Sequence, residues 1–171
     1  MTTARILALT SLSPAETAIE AQQRAIATWR AAGLDVRSFN HPSEIPALAA
    51  HYDVDIVPIE QTAIEPFARH YIPIARMLAW AAASERTVLL INSDIELHLA
   101  PWELQRVRWS AHGGLAYFIR HNYDDDRAGA TIEPFGIDAF LLDARDAGAV
   151  PDSFLCMGQP FWDYWLPYLF A

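Results

Sequence analysis

Apolar and polar positions along the chain switch between two rhythms, and each switch marks the edge of an element. Residues Arg5 to Leu12 form an Ile- and Leu-rich run ended by Ser11, Ser13 and Pro14, the profile of a buried strand. From Ala15 to Ala32 the positions Ala18, Ile19, Ala25, Ile26 and Trp29 recur near helical spacing. Pro14 opens this helix, Ser13 is its expected N-cap with Glu16 three residues on, and Gly33 ends it. Leu34 to Phe39 predicts a second strand, His41 to His51 a turn and short helix capped by Ser43, and Val54 to Ile59 a third strand weakened by Pro58. Gln61 to Tyr71 reads as a loop containing Pro66, and Ile72 to Ser84 as a helix with Pro73 in its first turn. Arg86 to Ile91, which carries TVLLI, is the clearest central strand. A helix over Pro101 to Ala111, ended by Gly113 and Gly114, precedes two further apolar runs, Leu115 to Arg120 and Gly136 to Leu142. The alternation of strand and helix predicts an α/β layered domain whose sheet is largely parallel in its first half.

Composition narrows the chemistry. The 171 residues suit a single domain, and no internal repeat or linker divides it. With 53% hydrophobic and 19% charged residues the chain predicts a folded, soluble domain, and no apolar run approaches the roughly 20 residues of a membrane span. The net charge of −9 argues against a nucleic-acid footprint. All 12 basic residues are arginine, which excludes a Schiff-base lysine and a P-loop lysine. The lone Cys156 excludes an intrachain disulfide, and the opening MTTARILAL lacks the basic region of a signal peptide, so a cytoplasmic location is expected. The six histidines are scattered without ligand spacing, which argues against a zinc site, and His98 and His112 read as surface or capping groups.

Open α/β sheets bind ligands beyond the carboxyl ends of their strands. Those positions are polar here: Thr10, Ser11 and Ser13 after the first strand, Glu60 and Gln61 after the third, and Asn92, Ser93, Asp94 and Glu96 after the fourth. Asp94 and Glu96 would point the same way if that strand continued, and hard oxygen ligands of this kind suit Mg²⁺ or Mn²⁺. The alternative is that Asp94 caps a turn. Toward the end of the chain Gly136, Asp138 and Asp163 stand out. Asp163 lies between Trp162 and Tyr164, where desolvation would raise its pKa toward that of a useful base, or it belongs to the first turn of a helix. Arg120 and Arg127 are candidates for a phosphate, or Arg120 pairs with one of Asp124, Asp125 or Asp126, a run that is either a solvated loop or a metal cage. Trp29 and Trp80 read as core. Trp162 and Trp165 are either core or a sugar platform, and Cys156 reads as a small apolar residue.

Taken in order, the N-terminal βαβ half, the strand ending in Asn92-Ser93-Asp94-Ile95, the Gly136-x-Asp138-x-Phe140 strand and the terminal Gly158-x-Pro160-x-Trp162-Asp163-x-Trp165-Leu166 segment resemble nucleotide-diphospho-sugar transferases of the GT-A fold. The resemblance covers nearly the whole chain. It implies one three-layer α/β/α Rossmann-like domain over residues 1–171 with a mixed, mostly parallel central sheet. It further implies a glycosyltransferase-like protein that binds a nucleotide-diphosphate sugar and moves the sugar to an unidentified acceptor hydroxyl. The family's acidic motif falls on Asn92-Ser93-Asp94, where Asn replaces the first carboxylate, so the resemblance leaves Asp94 as ligand for Mg²⁺ or Mn²⁺. Nucleotide-sugar contacts fall on Thr10, Ser11, Leu12, Asn92, Ser93, Asp94, Arg120 and Gly136. Asp163 is implied as the base, and Asp138 as a group that orients hydroxyls. Two alternatives accompany this reading: a GT-A-like binding module that has lost transfer, and an interaction module that docks or self-associates through Trp165, Leu166, Tyr168, Leu169 and Phe170.

Overall fold

The fold is that of a computed structural model, which describes residues 5–123 and 130–171, with Pro66 described for its backbone alone. Among the described residues, β1 (Leu7–Thr10), β2 (Asp35–Asn40), β3 (Asp55–Pro58), β4 (Val88–Ile91), β5 (Leu115–Asn122) and β6 (Thr131–Leu142) form one sheet in the order β3-β2-β1-β4-β6-β5. β1 pairs in parallel with β2 and β4, and β2 with β3. β6 is reversed and pairs antiparallel with β4 and β5. The helices are α1 (Ile19–Ala31), α2 (Ile45–Ala49), α3 (Ile64–Phe67), α4 (Ile74–Ala82), α5 (Pro101–Ser110), α6 (Ala144–Ala147) and α7 (Trp162–Leu169). The chain is therefore α/β with a mixed, mostly parallel sheet, compatible with a Rossmann-like fold.

Period-two burial divides the strand residues between two apolar clusters. Ala8, Val36, Leu89 and Leu141 join Ala25, Ile26 and Trp29 of α1 and Leu104 of α5. Leu7, Leu9, Phe39, Leu90 and Phe140 join Ile74, Met77, Leu78 and Ala81 of α4 and Trp162 and Leu166 of α7. The α4 residues recur at helical spacing, so one stripe of that helix meets the sheet. Each strand residue thus serves whichever cluster its side chain reaches, and side chains after the last paired residue are released from that obligation.

Local corrections bear on the site. Ser13 does not cap α1: a 3₁₀ turn over Glu16–Ala18 intervenes, the N-cap is Ala18, and the Ser13 hydroxyl accepts the Ala15 N–H instead. The N-cap of α2 is Glu44, while Ser43 bonds His41. The 61–71 loop contains the one-turn α3, closed by Ala68 at φ 53°. β6 begins five residues before Gly136, and its register with β5 slips twice. Phe118 pairs with Ala139 and Ile119 with Ile137, which leaves Asp138 as the extra residue of a bulge. The clusters record the same slip: Ile137 packs on one and Ala139 belongs to the other, although two residues along a regular strand share a face.

The aromatic tail is largely used in packing. Leu166 is fully buried, Trp165 and Phe170 pack on the α4 cluster, and Tyr168 and Leu169 remain exposed, so the five residues do not form the expected patch. No described helix is long and apolar enough to cross a membrane.

Candidate functional site

The chain goes from β1 outward through β2 to β3 and then returns to the other side of β1 as β4, so the strand order reverses between β1 and β4. A crevice forms at such a point because the connections leave the two strand ends in opposite directions. Here it is a cleft of about 490 Å³ lined by Ser11, Leu12 and Ser13 after β1, Asn92, Ser93 and Asp94 after β4, the start of α1, and Arg69, His70 and Tyr71 opposite.

Buried polar side chains hold the floor in place. Gln22 of α1 accepts the Ser13 N–H through Oε1 (2.7 Å), and its Nε2 donates to the Ser13 carbonyl (3.0 Å) and to Tyr52 Oη (2.7 Å). Ser38 Oγ accepts the Leu12 N–H (3.0 Å) and donates to Asn40 Oδ1, while Asn40 Nδ2 donates to the Leu12 carbonyl (2.8 Å) and to Glu44. The turn after β1 is thereby bonded almost as a strand would be, by side chains rather than by backbone. Sequence reasoning missed Gln22, Ser38 and Asn40. The signal was present: Gln22 interrupts the apolar stripe of Ile19, Ala25, Ile26 and Trp29, and Ser38 and Asn40 continue the inward face begun by Val36.

The expected site residues divide accordingly. Ser11 and Ser93 line the cleft with hydroxyls that have no partner among the described residues. Thr10 does not reach it: the side chain is completely buried, with its hydroxyl toward Met157 Sδ at 3.8 Å. Leu12 lines the cleft, but its side chain is core and its amide groups are already bonded, so it offers apolar contact. β4 ends at Ile91 and a turn follows, so Asp94 and Glu96 do not continue an alternating strand. Glu96 bonds Arg24 and His98, whereas the exposed Asp94 has no hydrogen-bond or ion-pair partner among the described residues.

Asn92 turns away from a ligand role toward a structural one. Its Nδ2 donates to Asp138 Oδ1 (2.8 Å) and its N–H to the Asp138 carbonyl (3.0 Å). Asp138 Oδ2 accepts from Arg120 Nη1 at 2.9 Å, so Arg120 is an ion-pair partner first and its phosphate role is not supported by this geometry. Gly136 leaves room for both Glu133 and Arg120: a Cβ at this position would sit 2.9 Å from Glu133 Cγ, 3.0 Å from Arg120 Nε and 3.1 Å from Arg120 Cβ. Gly136 is buried and gives packing space to the Glu133 and Arg120 side chains. Asp94, Arg120 and Asp138 line a second cleft of about 720 Å³ with Phe118 and His98, and Asp94 lines both. Asp124, Asp125, Asp126 and Arg127 lie outside the described residues.

Asp163 sits in the first turn of α7 and lines neither cleft. Burial holds its carboxyl above the usual aspartate range. The Asp138 charge adds to the rise, and backbone N–H groups of Phe161, Asp163 and Tyr164 oppose it. Trp162 is core, edge-on to Phe140 at 5.2 Å, and is not a sugar platform. Among the described residues no group of three or more His, Cys, Asp or Glu side chains is placed to hold a metal ion. Asp94 alone still fits a hard divalent cation that takes one carboxylate and completes its shell with water and ligand phosphates. Neither a family model nor a curated protein matches the chain.

Proposed function

We propose that the chain is a three-layer GT-A-like domain that binds a nucleotide-diphosphate sugar in the β1/β4 cleft and transfers the sugar to an acceptor hydroxyl. The observation that carries this reading is the meeting of two clefts at one uncommitted carboxylate, Asp94, beyond the end of a buried central strand. A transferase needs two adjoining sites, because donor and acceptor must be held against each other for displacement at the anomeric carbon. The β1/β4 cleft, with hydroxyls on a pinned floor and the start of α1 in its wall, suits the donor. The second cleft suits the acceptor.

Asp94 would hold Mg²⁺ or Mn²⁺, and such an ion supplies compensation for the charge of the diphosphate. Of the remaining carboxylates, Asp138 is held by Arg120 and Asn92 at the edge of the second cleft and is suited to orient a hydroxyl by accepting its hydrogen bond. Asp163 has the raised proton affinity of a base, but it lines neither cleft, so its use as base requires an acceptor that extends to α7.

The test is a thermal-shift screen against uridine, guanosine, cytidine and thymidine diphosphates and their sugar conjugates, each with Mn²⁺, Mg²⁺ or chelator. A diphosphate present at 100 times its Kd stabilises the fold by about 2.7 kcal/mol, which is roughly 5–10 °C for a domain of this size. Asp94→Ala should abolish the metal-dependent part of the shift. No shift with any nucleotide at millimolar concentration removes the reading. A second reading, a GT-A-like module that binds but does not transfer, is favoured by Asn92 serving Asp138 and by Asp163 lining neither cleft. Metal-dependent binding without sugar transfer or donor hydrolysis would select it.

A further inference from the structure

We infer that Arg69, presented by the 61–71 segment, is the residue that pairs with the ligand's diphosphate in the β1/β4 cleft, with His70 beside it. This rests on the nucleotide reading of that cleft and names its anion-binding side, which the sequence placed on Arg120 and Arg127.

Charge and position together single Arg69 out, since Arg5, Arg106, Arg108 and Arg145 also make no salt bridge among the described residues but do not line this cleft. Arg24, Arg30, Arg37, Arg76, Arg86 and Arg120 each pair with a carboxylate. Arg69 is the arginine in the wall of the β1/β4 cleft, and its guanidinium has no hydrogen-bond or ion-pair partner among the described residues. In a chain of net charge −9, an arginine left unpaired in a cleft with free serine hydroxyls is a ready fork for phosphate oxygens. Of the two carboxylates that line the same cleft, Glu44 already accepts from Asn40 (3.0 Å) and Asp94 is the proposed metal ligand.

The segment is built to hold that fork in one place. Ala63 N–H bonds the Tyr71 carbonyl (2.9 Å), and Thr62 Oγ1 meets His70 Nδ1 at 3.0 Å, so the two ends of the segment are tied together. The His70 ring stacks on His41, just beyond β2, with centroids 3.7 Å apart and planes 4° from parallel. Phe67 packs edge-on against Tyr71 at 5.7 Å. Ala68, at φ 53°, reverses the chain between α3 and Arg69. When the Thr62 hydroxyl donates to Nδ1, His70 carries its proton on Nε2, a second donor in the same wall.

The experiment is calorimetric titration of wild type, Arg69→Ala and Arg69→Lys with a nucleoside, its diphosphate and inorganic pyrophosphate, using the nucleoside found in the thermal screen or uridine if none is found. The Arg69 side chain is exposed and unbonded, so neither variant removes a folding contact, and circular dichroism checks this. The expected result is that Arg69→Ala weakens diphosphate binding at least tenfold, leaves nucleoside affinity within twofold, and is partly rescued by Arg69→Lys. Diphosphate binding by Arg69→Ala within twofold of wild type overturns the inference while leaving the nucleotide reading standing. Arg69-dependent binding of pyrophosphate without binding of any nucleotide does the reverse. Failure of wild type to bind either overturns both.

Discussion

Gln22→Leu is the sharpest perturbation of the cleft floor, because one buried amide makes three bonds there. Leucine nearly matches glutamine in volume, so the change deletes the Ser13 N–H, Ser13 carbonyl and Tyr52 hydroxyl bonds without opening a cavity. At about 1 kcal/mol per bond the loss is roughly 3 kcal/mol. Ser13 is half-buried, so water recovers part of its share, and a net loss of about 2 kcal/mol is expected. That corresponds to a fall in Tm of roughly 4–8 °C. Urea unfolding followed by circular dichroism measures it directly, with an unchanged slope confirming that the unfolded state is the same. Tyr52→Phe alone should cost about 1 kcal/mol, and in the Gln22→Leu background almost nothing, because its partner is already gone. A Gln22→Leu variant within about 0.5 kcal/mol of wild type would refute the view that this side chain holds the turn after β1.

Gly136→Ala should push the Glu133 and Arg120 side chains aside, weaken the Arg120–Asp138 pair and cost about 1–3 kcal/mol in the same urea assay. Asp163 has a raised pKa, so its stability contribution is complete below the unfolded-state value of about 3.9 and is lost as pH rises through the folded-state value. Asp163→Asn should therefore flatten stability against pH just above 3.9 and not weaken the fold at pH 7, as pH-dependent thermal unfolding would show. Burial pushes the Cys156 thiol up to about 11, so at pH 8 its thiolate fraction is roughly a hundredfold below that of an unfolded chain, and a thiol reagent should label it only when the protein unfolds.

Much of the fold was legible because burial imposes a period. Ala25, Ile26 and Trp29 recur on one stripe and are buried together, and the TVLLI run is buried on both faces. The cleft was located for a similar reason: strand ends carry residues that burial does not select, and the polar groups after β1 and β4 stood out. What could not be read is what joins distant segments. Nothing local reveals that Thr10 is still inside the sheet while Ser11 is not, since that depends on where β1 stops pairing. Asn92 and Asp138 each read as ligands in isolation, and only the reversed β6 makes them partners. Arg69 was passed over because a loop gives no period from which to infer what it faces. Gly136 reads from the sequence only as a strand start and a ligand contact, and a single glycine does not say which side chains fill the space above it.

The position of β1 also sets the order in which the protein can be made. On one side Leu7 pairs with Asp35, a partner supplied early in synthesis, and on the other with Val88, from the middle of the chain. β4 in turn completes its own pairing with β6, which is later still. The β1/β4 cleft therefore lies on a seam between an early-forming ladder and a late-closing one, where loop-closure entropy is greatest. Until that seam closes, the β1 edge is an open template for a foreign strand. A ligand that binds across it would act on the nascent chain as a clasp, favouring closure over misassembly.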